Sequence, residues 1–123
     1  MQTTIVNSAD NTAGEKKNTE IKHWPTNLVL HFKRLEWDRQ AARLRKNTND
    51  ITFEAILGIN DATRYRLQGV IVHTGTPGAA HYTAYVRDRN NIWFYCDDAR
   101  APRPMHDVAY VMEAQPYMLF YER

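Results

Sequence analysis

Hydrophobic and polar positions alternate along several short stretches of this chain, as they do in β-strands that bury one face. The first such stretch begins at Asn27, where every second side chain is apolar. The same period predicts further strands over residues 51–53, 65–73, 81–87, 92–97 and 117–121. The run Val70–Val72 is apolar on both faces and indicates a strand inside a sheet, with Tyr65, Leu67 and Ile71 sharing one face.

The segments between these strands predict little helix. Residues 38–50 are charged and predict a helical turn around Ala41 and Ala42, followed by the loop-like Asn47–Asp50. Residues 74–79 are small and predict a loop, and residues 105–112 predict a short helix. The pattern therefore indicates an α+β fold dominated by strands.

The chain divides at its N-terminal end by composition. Residues 1–22 are polar and nearly free of large apolar side chains, so we expect a mobile N-terminal segment there. Residues 23–123 carry the strand pattern and form the folded portion. With 123 residues in all, the chain is one domain or part of one.

Composition and charge exclude several classes of partner. The 16 Lys and Arg against 14 Asp and Glu give a net charge of +2, too small to predict binding to nucleic acid. No apolar run is long enough for a membrane span, and we expect no membrane partner. The single cysteine, Cys96, excludes an internal disulfide and favours a reducing compartment, so we expect the cytoplasm or the nucleus.

A histidine and two carboxylates lie on what the pattern predicts to be neighbouring strands. A turn centred between Arg89 and Asn90 places His81 opposite Asp98, and a change of one residue in that turn brings Asp97 opposite instead. Either carboxylate could accept the imidazole N–H, fix the tautomer and stabilise the imidazolium. Such a pair is also typical of an ordinary polar contact on a protein surface.

Five sequence blocks follow one another along the chain. They are Pro25–Arg34 (PTNLVLHFKR), Tyr65–Gly75 (YRLQGVIVHTG), Ala80–Val86 (AHYTAYV), Trp93–Asp98 (WFYCDD) and Tyr117–Tyr121 (YMLFY). In their order and spacing these blocks resemble the C-terminal part of the catalytic domain of ubiquitin-specific proteases. The resemblance implies the palm-like antiparallel β half of a papain-like cysteine peptidase fold.

The same resemblance implies a deubiquitinating cysteine-type peptidase that acts on ubiquitin or a ubiquitinated protein. In it, His81 corresponds to the general base, Asp97 to the residue that orients it, and Asp98 to the neighbouring acidic position. Residues 74–79 and 35–49 correspond to two loops where the ubiquitin tail enters, and Tyr82 lines the channel for its glycines. The implied ubiquitin-binding residues are Gly75, Thr76, Pro77, Gly78, Ala80 and Tyr82.

The chain departs from the family pattern in three places. Ala80 stands where the family usually has glycine, and its methyl group would narrow the channel. The family's zinc-binding cysteines have no counterpart before Ile21, so neither a metal nor another cofactor is implied. Nothing in residues 1–22 resembles the block that carries the nucleophilic cysteine. Catalysis would therefore need a cysteine-bearing segment or subunit.

Cys96 is a poor substitute for that nucleophile. It directly precedes Asp97 on a predicted strand, so the two side chains point to opposite faces, and a small buried apolar role is expected. The alternatives to an enzyme are therefore a non-catalytic ubiquitin-binding or scaffolding module, or a truncated inactive product. Among the other histidines, His31 and His73 are predicted to be hydrogen-bonded structural residues.

Overall fold

The computed structural model describes residues 2–6 and 21–123, and within them the chain forms ten strands and one short helix. The strands are β1 (Gln2–Val6), β2 (Asn27–Phe32), β3 (Leu35–Asp38), β4 (Arg43–Lys46), β5 (Ile56–Gly58), β6 (Arg64–Thr76), β7 (Ala79–Arg87), β8 (Trp93–Cys96), β9 (Arg103–Met105) and β10 (Met118–Glu122), and the helix is α1 (Ala109–Glu113). The predicted strand-dominated fold is confirmed. Of the N-terminal segment expected to be mobile, residues 1–22, residues 2–6 form β1 and pair with β2, whereas residues 1 and 7–20 lie outside the described residues.

Most of the strands join one mixed sheet. Its order is β1-β2-β10-β6-β7-β8-β9, with β5 pairing to β6, and β3 and β4 form a separate two-stranded hairpin. Neighbours are antiparallel except for β1 and β2, which are parallel. The long strand β6 lies between β10 and β7, as its apolar run predicts.

A β-bulge interrupts the pairing of β6 with β10. Phe120 pairs with Gly69, but the next residue, Tyr121, pairs with Leu67, which leaves Gln68 as the extra residue. Successive side chains along a strand point to opposite faces of the sheet. After one inserted residue, each following side chain therefore points to the face opposite to the one that regular alternation predicts. The prediction that Ile71 shares one face with Tyr65 and Leu67 is therefore wrong.

The bulge decides which residues of β6 enter the core. Val70 is fully buried with Tyr65 and Leu67, whereas Ile71 lies on the opposite face of the sheet. There Ile71 lines an open apolar cavity of about 350 Å³. The buried core consists of Leu28, Tyr65, Leu67, Val70, Trp93, Val111, Leu119 and Tyr121.

Three connecting segments differ from the predictions. The expected helical turn around Ala41 is the tip of the β3–β4 hairpin, where Asp38 Oδ1 accepts hydrogen bonds from the Gln40 and Ala41 N–H groups. Residues 51–53 form no strand, and pairing begins only at β5. Helix α1 starts after the predicted position because Met105 pairs with Trp93 in the sheet. No helix in the described ranges is long and apolar enough to cross a membrane.

A buried arginine anchors the β3–β4 hairpin to the sheet. The Arg34 side chain is only 6% exposed, and burial lowers its pKa. Its Nε donates to the Pro116 carbonyl oxygen at 2.9 Å, and one Nη donates to the carbonyl oxygens of Asn47 at 3.1 Å and Asn49 at 2.9 Å. The guanidinium thus ties together both ends of the hairpin and the segment before β10.

Candidate active site

An imidazole–carboxylate pair lies where β7 begins and β8 ends. His81 Nε2 is 2.8 Å from Asp97 Oδ1, and both side chains are partly accessible, at 46% for His81 and 22% for Asp97. These atoms are close enough for a direct hydrogen bond. The two residues singled out from the sequence as base and orienting group are therefore in contact.

The strand register behind this contact differs by one residue from the predicted one. Arg87 pairs with Trp93 and Ala84 with Cys96, so continuation of the ladder sets Asp97 level with Thr83 rather than with His81. Thr83 and His81 are two residues apart and share a face. Asp97 therefore contacts His81 diagonally across the two strands and not directly opposite. Side chains in such diagonal positions are close enough to touch.

The connection between β7 and β8 explains this register. Five residues, 88–92, separate the two strands, and Asn91 adopts a positive φ of 63°. Asp88 Oδ1 accepts hydrogen bonds from the Asn90 and Ile92 N–H groups and holds the loop closed. The turn is thus longer than a two-residue hairpin turn. Its length could not be determined from the sequence, so the predicted strand register was off by one residue.

The second carboxylate lies on the other side of the ring. Asp98 Oδ2 is 3.8 Å from His81 Nδ1, and the Asp98 side chain is 74% exposed. Its φ of 48° turns it back toward the histidine instead of continuing the strand. Asp97 therefore makes the shorter contact and is better shielded from water, while Asp98 makes the longer one.

This arrangement suits proton transfer. A carboxylate bound to one imidazole nitrogen fixes the tautomer and stabilises the imidazolium, which leaves the other nitrogen to accept a proton. With Asp97 on Nε2, the accepting atom is Nδ1. The same three side chains offer ligand atoms within 4.8 Å of one another and could hold a cation, which would block the base. The absence of a metal remains a prediction.

The residues expected to bind ubiquitin cluster at the adjacent end of β6 and β7. Gly75 and Thr76 end β6, and Pro77 and Gly78 form a two-residue turn, so the predicted loop is in fact a tight hairpin. Ala80 is exposed and Tyr82 is 47% exposed, both on β7 beside His81. The hairpin end thus presents accessible backbone next to the imidazole.

Gly75 is needed for the shape of this hairpin end. Its φ is +89°, and a Cβ added there would collide with the Ala79 carbonyl oxygen. We expect Gly75→Ala to lower the free energy of unfolding by about 1–3 kcal/mol. Gly78→Ala is the matched control because a Cβ there meets no atom, and it should change stability by less than about 0.5 kcal/mol. Urea unfolding of both variants tests this, and equal effects would contradict it.

Cys96 is placed as its sequence position suggests. It is partly buried, ends β8 and pairs with Ala84. Alternation sets its side chain on the opposite face from Tyr95. This placement favours a packing role, and the sequence holds no other cysteine.

A group of aromatic and imidazole rings lies beside the site and was not predicted from the sequence. His31 and His73 were predicted to be hydrogen-bonded, but His31 Nε2 and both ring nitrogens of His73 are buried without a hydrogen-bond partner. Both imidazoles instead pack against Tyr117, and His73 also packs against Tyr82. No spacing in the sequence signals this group, because its members come from four separate segments.

The strand-dominated, mostly antiparallel sheet with an imidazole–carboxylate pair at its edge matches the β half of a papain-like cysteine peptidase. The family description Ubiquitin carboxyl-terminal hydrolase matches residues 1–121. The chain belongs to this family of cysteine peptidases, as its sequence blocks predicted.

Relatives and solved structures agree with this assignment. Bovine Ubiquitin carboxyl-terminal hydrolase 22 is 35% identical over 130 residues, covering 87% of this chain and 24% of its own length. Mouse Ubiquitin carboxyl-terminal hydrolase 27 is 28% identical over 130 residues, covering 87% of this chain and 29% of its own length. This chain thus spans about a quarter of the length of these relatives.

The same fold occurs in the SAGA DUB module Ubp8(C146A)/Sgf11/Sus1/Sgf73 bound to monoubiquitin. The match has a TM-score of 0.70 at 30% identity, covering 80% of this chain and 23% of that chain. The Ubp8 module bound to ubiquitin aldehyde matches with a TM-score of 0.68 at 26% identity, covering 80% of this chain and 24% of that one.

Proposed function

We propose that residues 23–123 supply the general-base histidine and the orienting aspartate of a deubiquitinating cysteine peptidase. The observation that carries this proposal is the 2.8 Å contact between His81 Nε2 and Asp97 Oδ1. The family assignment supports it, because a cysteine peptidase needs an oriented imidazole beside its thiol. The nucleophile itself is supplied by a cysteine-bearing segment or subunit.

In the assembled enzyme the chemistry proceeds in two steps. His81 Nδ1 takes the proton of the incoming thiol, and the thiolate attacks the isopeptide carbonyl after the terminal glycine of ubiquitin. The imidazolium, held by Asp97, then returns the proton to the departing lysine amine. Water next hydrolyses the thioester with the same imidazole as base, and this releases ubiquitin and restores the thiol.

Ubiquitin is the proposed ligand of the hairpin end formed by β6 and β7. The tight turn at Pro77 and Gly78 and the exposed Ala80 leave backbone accessible beside His81, as a narrow glycine tail requires. Tyr82 forms one wall of that channel. Solved relatives bound to monoubiquitin and to ubiquitin aldehyde support this choice of ligand. The free thiol Cys96 suits the reducing cytoplasm or nucleus, where we place the protein.

A non-catalytic ubiquitin-binding module is the second candidate. It is favoured by the single cysteine, which pairs with Ala84 at the end of β8 and has no sequence context of a nucleophile. A truncated inactive product shares this feature but would bind no ubiquitin. Binding of ubiquitin to the chain alone separates the two, and cleavage by the chain joined to a cysteine-bearing segment separates the binding module from the enzyme.

The roles of the two carboxylates can be tested in that joined protein. Asp97→Ala should lower kcat for ubiquitin release by roughly a hundredfold to ten-thousandfold, because the imidazole loses the acceptor that holds it in the correct tautomer. Asp98→Ala removes only an exposed contact at 3.8 Å and should lower kcat less than about tenfold. The readout is release of a fluorescent amine from the C-terminus of ubiquitin. A larger loss for Asp98→Ala would assign the orienting role to Asp98.

A further inference from the structure

A compact group of four rings lies one residue away from the candidate base. Tyr82 follows His81 on β7 and pairs across the sheet with His73 on β6, with ring centroids 5.1 Å apart and the planes at 69°. Tyr117 packs against both, at 5.6 Å from Tyr82 and 5.7 Å from His73. His31 completes the group at 4.8 Å from Tyr117. We call these four residues the ring cluster.

His73 is the buried member of the ring cluster that can change charge. It is 5% exposed, and neither ring nitrogen has a hydrogen-bond partner. An imidazolium there would bury two charged N–H donors without an acceptor, which is costly. The neutral ring carries no such charge and packs against its aromatic neighbours.

The groups that face His73 also disfavour a positive charge. Lys46, from β4, places its ammonium 2.9 Å from the His73 carbonyl oxygen. The other titratable neighbours are Tyr82, Tyr117 and, across Tyr117, His31, and no carboxylate of the described residues contacts the His73 ring. Burial first, and then the Lys46 charge, lower the pKa of His73. Burial first, and then the charge of Tyr82 and the hydrogen bond with it, raise the pKa of Tyr117.

We propose that neutral His73 is a positioning residue for Tyr82, and that protonation of His73 displaces Tyr82 from the wall beside His81. Tyr82 packs against the buried His73 ring, with centroids 5.1 Å apart, and is itself 47% exposed. Hydration of an imidazolium at this position would therefore disturb the packing of this tyrosine. Only the consequence for ubiquitin rests on the proposed function, because the displacement itself is a property of the chain.

The proposal predicts an acid-sensitive site and an acid-sensitive fold. Because the pKa of His73 is lower in the folded chain than in the unfolded one, the unfolded chain binds the proton first. The contribution of His73 to stability is therefore complete above the unfolded value of about 6.5 and decreases as the pH falls from there to the folded pKa. Tyr82 should leave its position over the lower part of that range.

NMR spectroscopy of the full chain between about pH 8 and about pH 5 tests the proposal. His81→Gln serves as the background, since it removes the ionisable side chain adjacent to Tyr82. In that background the Tyr82 ring signals should shift with one inflection that coincides with the titration of His73. In His81→Gln/His73→Phe, position 73 keeps an aromatic ring that cannot be protonated. The Tyr82 signals should therefore stay constant over this pH range, and the free energy of unfolding should be retained.

Two results would overturn the proposal. One is a Tyr82 inflection that persists in the His73→Phe variant, and the other is a His73 titration that leaves Tyr82 unchanged. Both results are measured on His81→Gln and on His81→Gln/His73→Phe. They therefore do not depend on whether His73→Ala folds. The pH profile also separates positioning from packing alone, because a purely structural ring would produce no inflection at Tyr82.

Ubiquitin binding at about pH 7.5 measures the functional consequence. His73→Phe should bind ubiquitin within about twofold of the parent chain, and His73→Ala should bind roughly five to ten times more weakly, since Tyr82 loses its aromatic neighbour. Loss of binding in His73→Phe equal to that in His73→Ala would count against positioning by the ring. A parent chain that binds no ubiquitin would refute the proposed function, while the NMR result would still decide the role of His73.

Discussion

Replacing His81 with alanine, in a protein that joins this chain to a cysteine-bearing segment, should lower kcat for ubiquitin release by about a thousandfold or more. The thiol then has no base to take its proton, and the departing amine has no acid to protonate it. No other histidine of the described residues contacts Asp97, so none can replace His81. The measurement is steady-state release of a fluorescent amine from the C-terminus of ubiquitin.

His106→Ala is the matched control for this loss. His106 is exposed in the segment between β9 and α1, and its removal should leave kcat within about twofold of the parent. The affinity for ubiquitin should be similar in both variants, because an accelerated proton transfer contributes to kcat and not to ground-state binding. A His81→Ala enzyme that keeps its kcat would remove His81 from the mechanism.

Arg34→Ala should lower the free energy of unfolding by about 3–5 kcal/mol, more than we expect for Gly75→Ala. The guanidinium donates to the carbonyl oxygens of Pro116, Asn47 and Asn49, and truncation leaves all three without this donor. Hydrogen bonds to charged groups contribute about 1.5–3 kcal/mol each, partly offset because the buried charge disappears as well.

The Arg34 prediction is tested by urea unfolding of the chain with two comparisons. Arg34→Lys should restore little stability, because an ammonium is a compact donor that lacks the planar fork of the guanidinium. Arg39→Ala, at the exposed tip of the β3–β4 hairpin, should change stability by less than about 0.5 kcal/mol. Equal unfolding midpoints for Arg34→Ala and Arg39→Ala would show that the buried guanidinium does not hold the hairpin to the sheet.

The hydrophobic pattern predicted the strands that bury one face. β2, β6, β7, β8 and β10 lie where the alternation indicates them. The pattern did not reveal the bulge at Gln68. In a run that is apolar on both faces, an inserted residue reverses which side chains point to each face but does not change the hydrophobic pattern. The hydrophobic pattern also did not predict β3 and β4. Trp37 and Leu44 are exposed there, so the hairpin buries no face and its sequence shows no apolar–polar alternation.

The candidate site could be predicted only in part from the sequence. A histidine and a carboxylate on neighbouring strands meet over a range of turn lengths, so the pairing of His81 with Asp97 or Asp98 did not depend on the turn. The choice between the carboxylates did depend on the five-residue connection and on the positive φ of Asp98. The ring cluster was missed because a buried histidine without a hydrogen-bond partner is uncommon.

We propose that this chain supplies the base and the carboxylate of a deubiquitinating enzyme but not its nucleophile. The most direct test compares release of a fluorescent amine from the C-terminus of ubiquitin by the chain alone and by the chain joined to the cysteine-bearing segment of a family member. We predict no release by the chain alone, and release by the joined protein that His81→Ala abolishes. Release by the chain alone that disappears in Cys96→Ser would contradict the claim and place the nucleophile on β8.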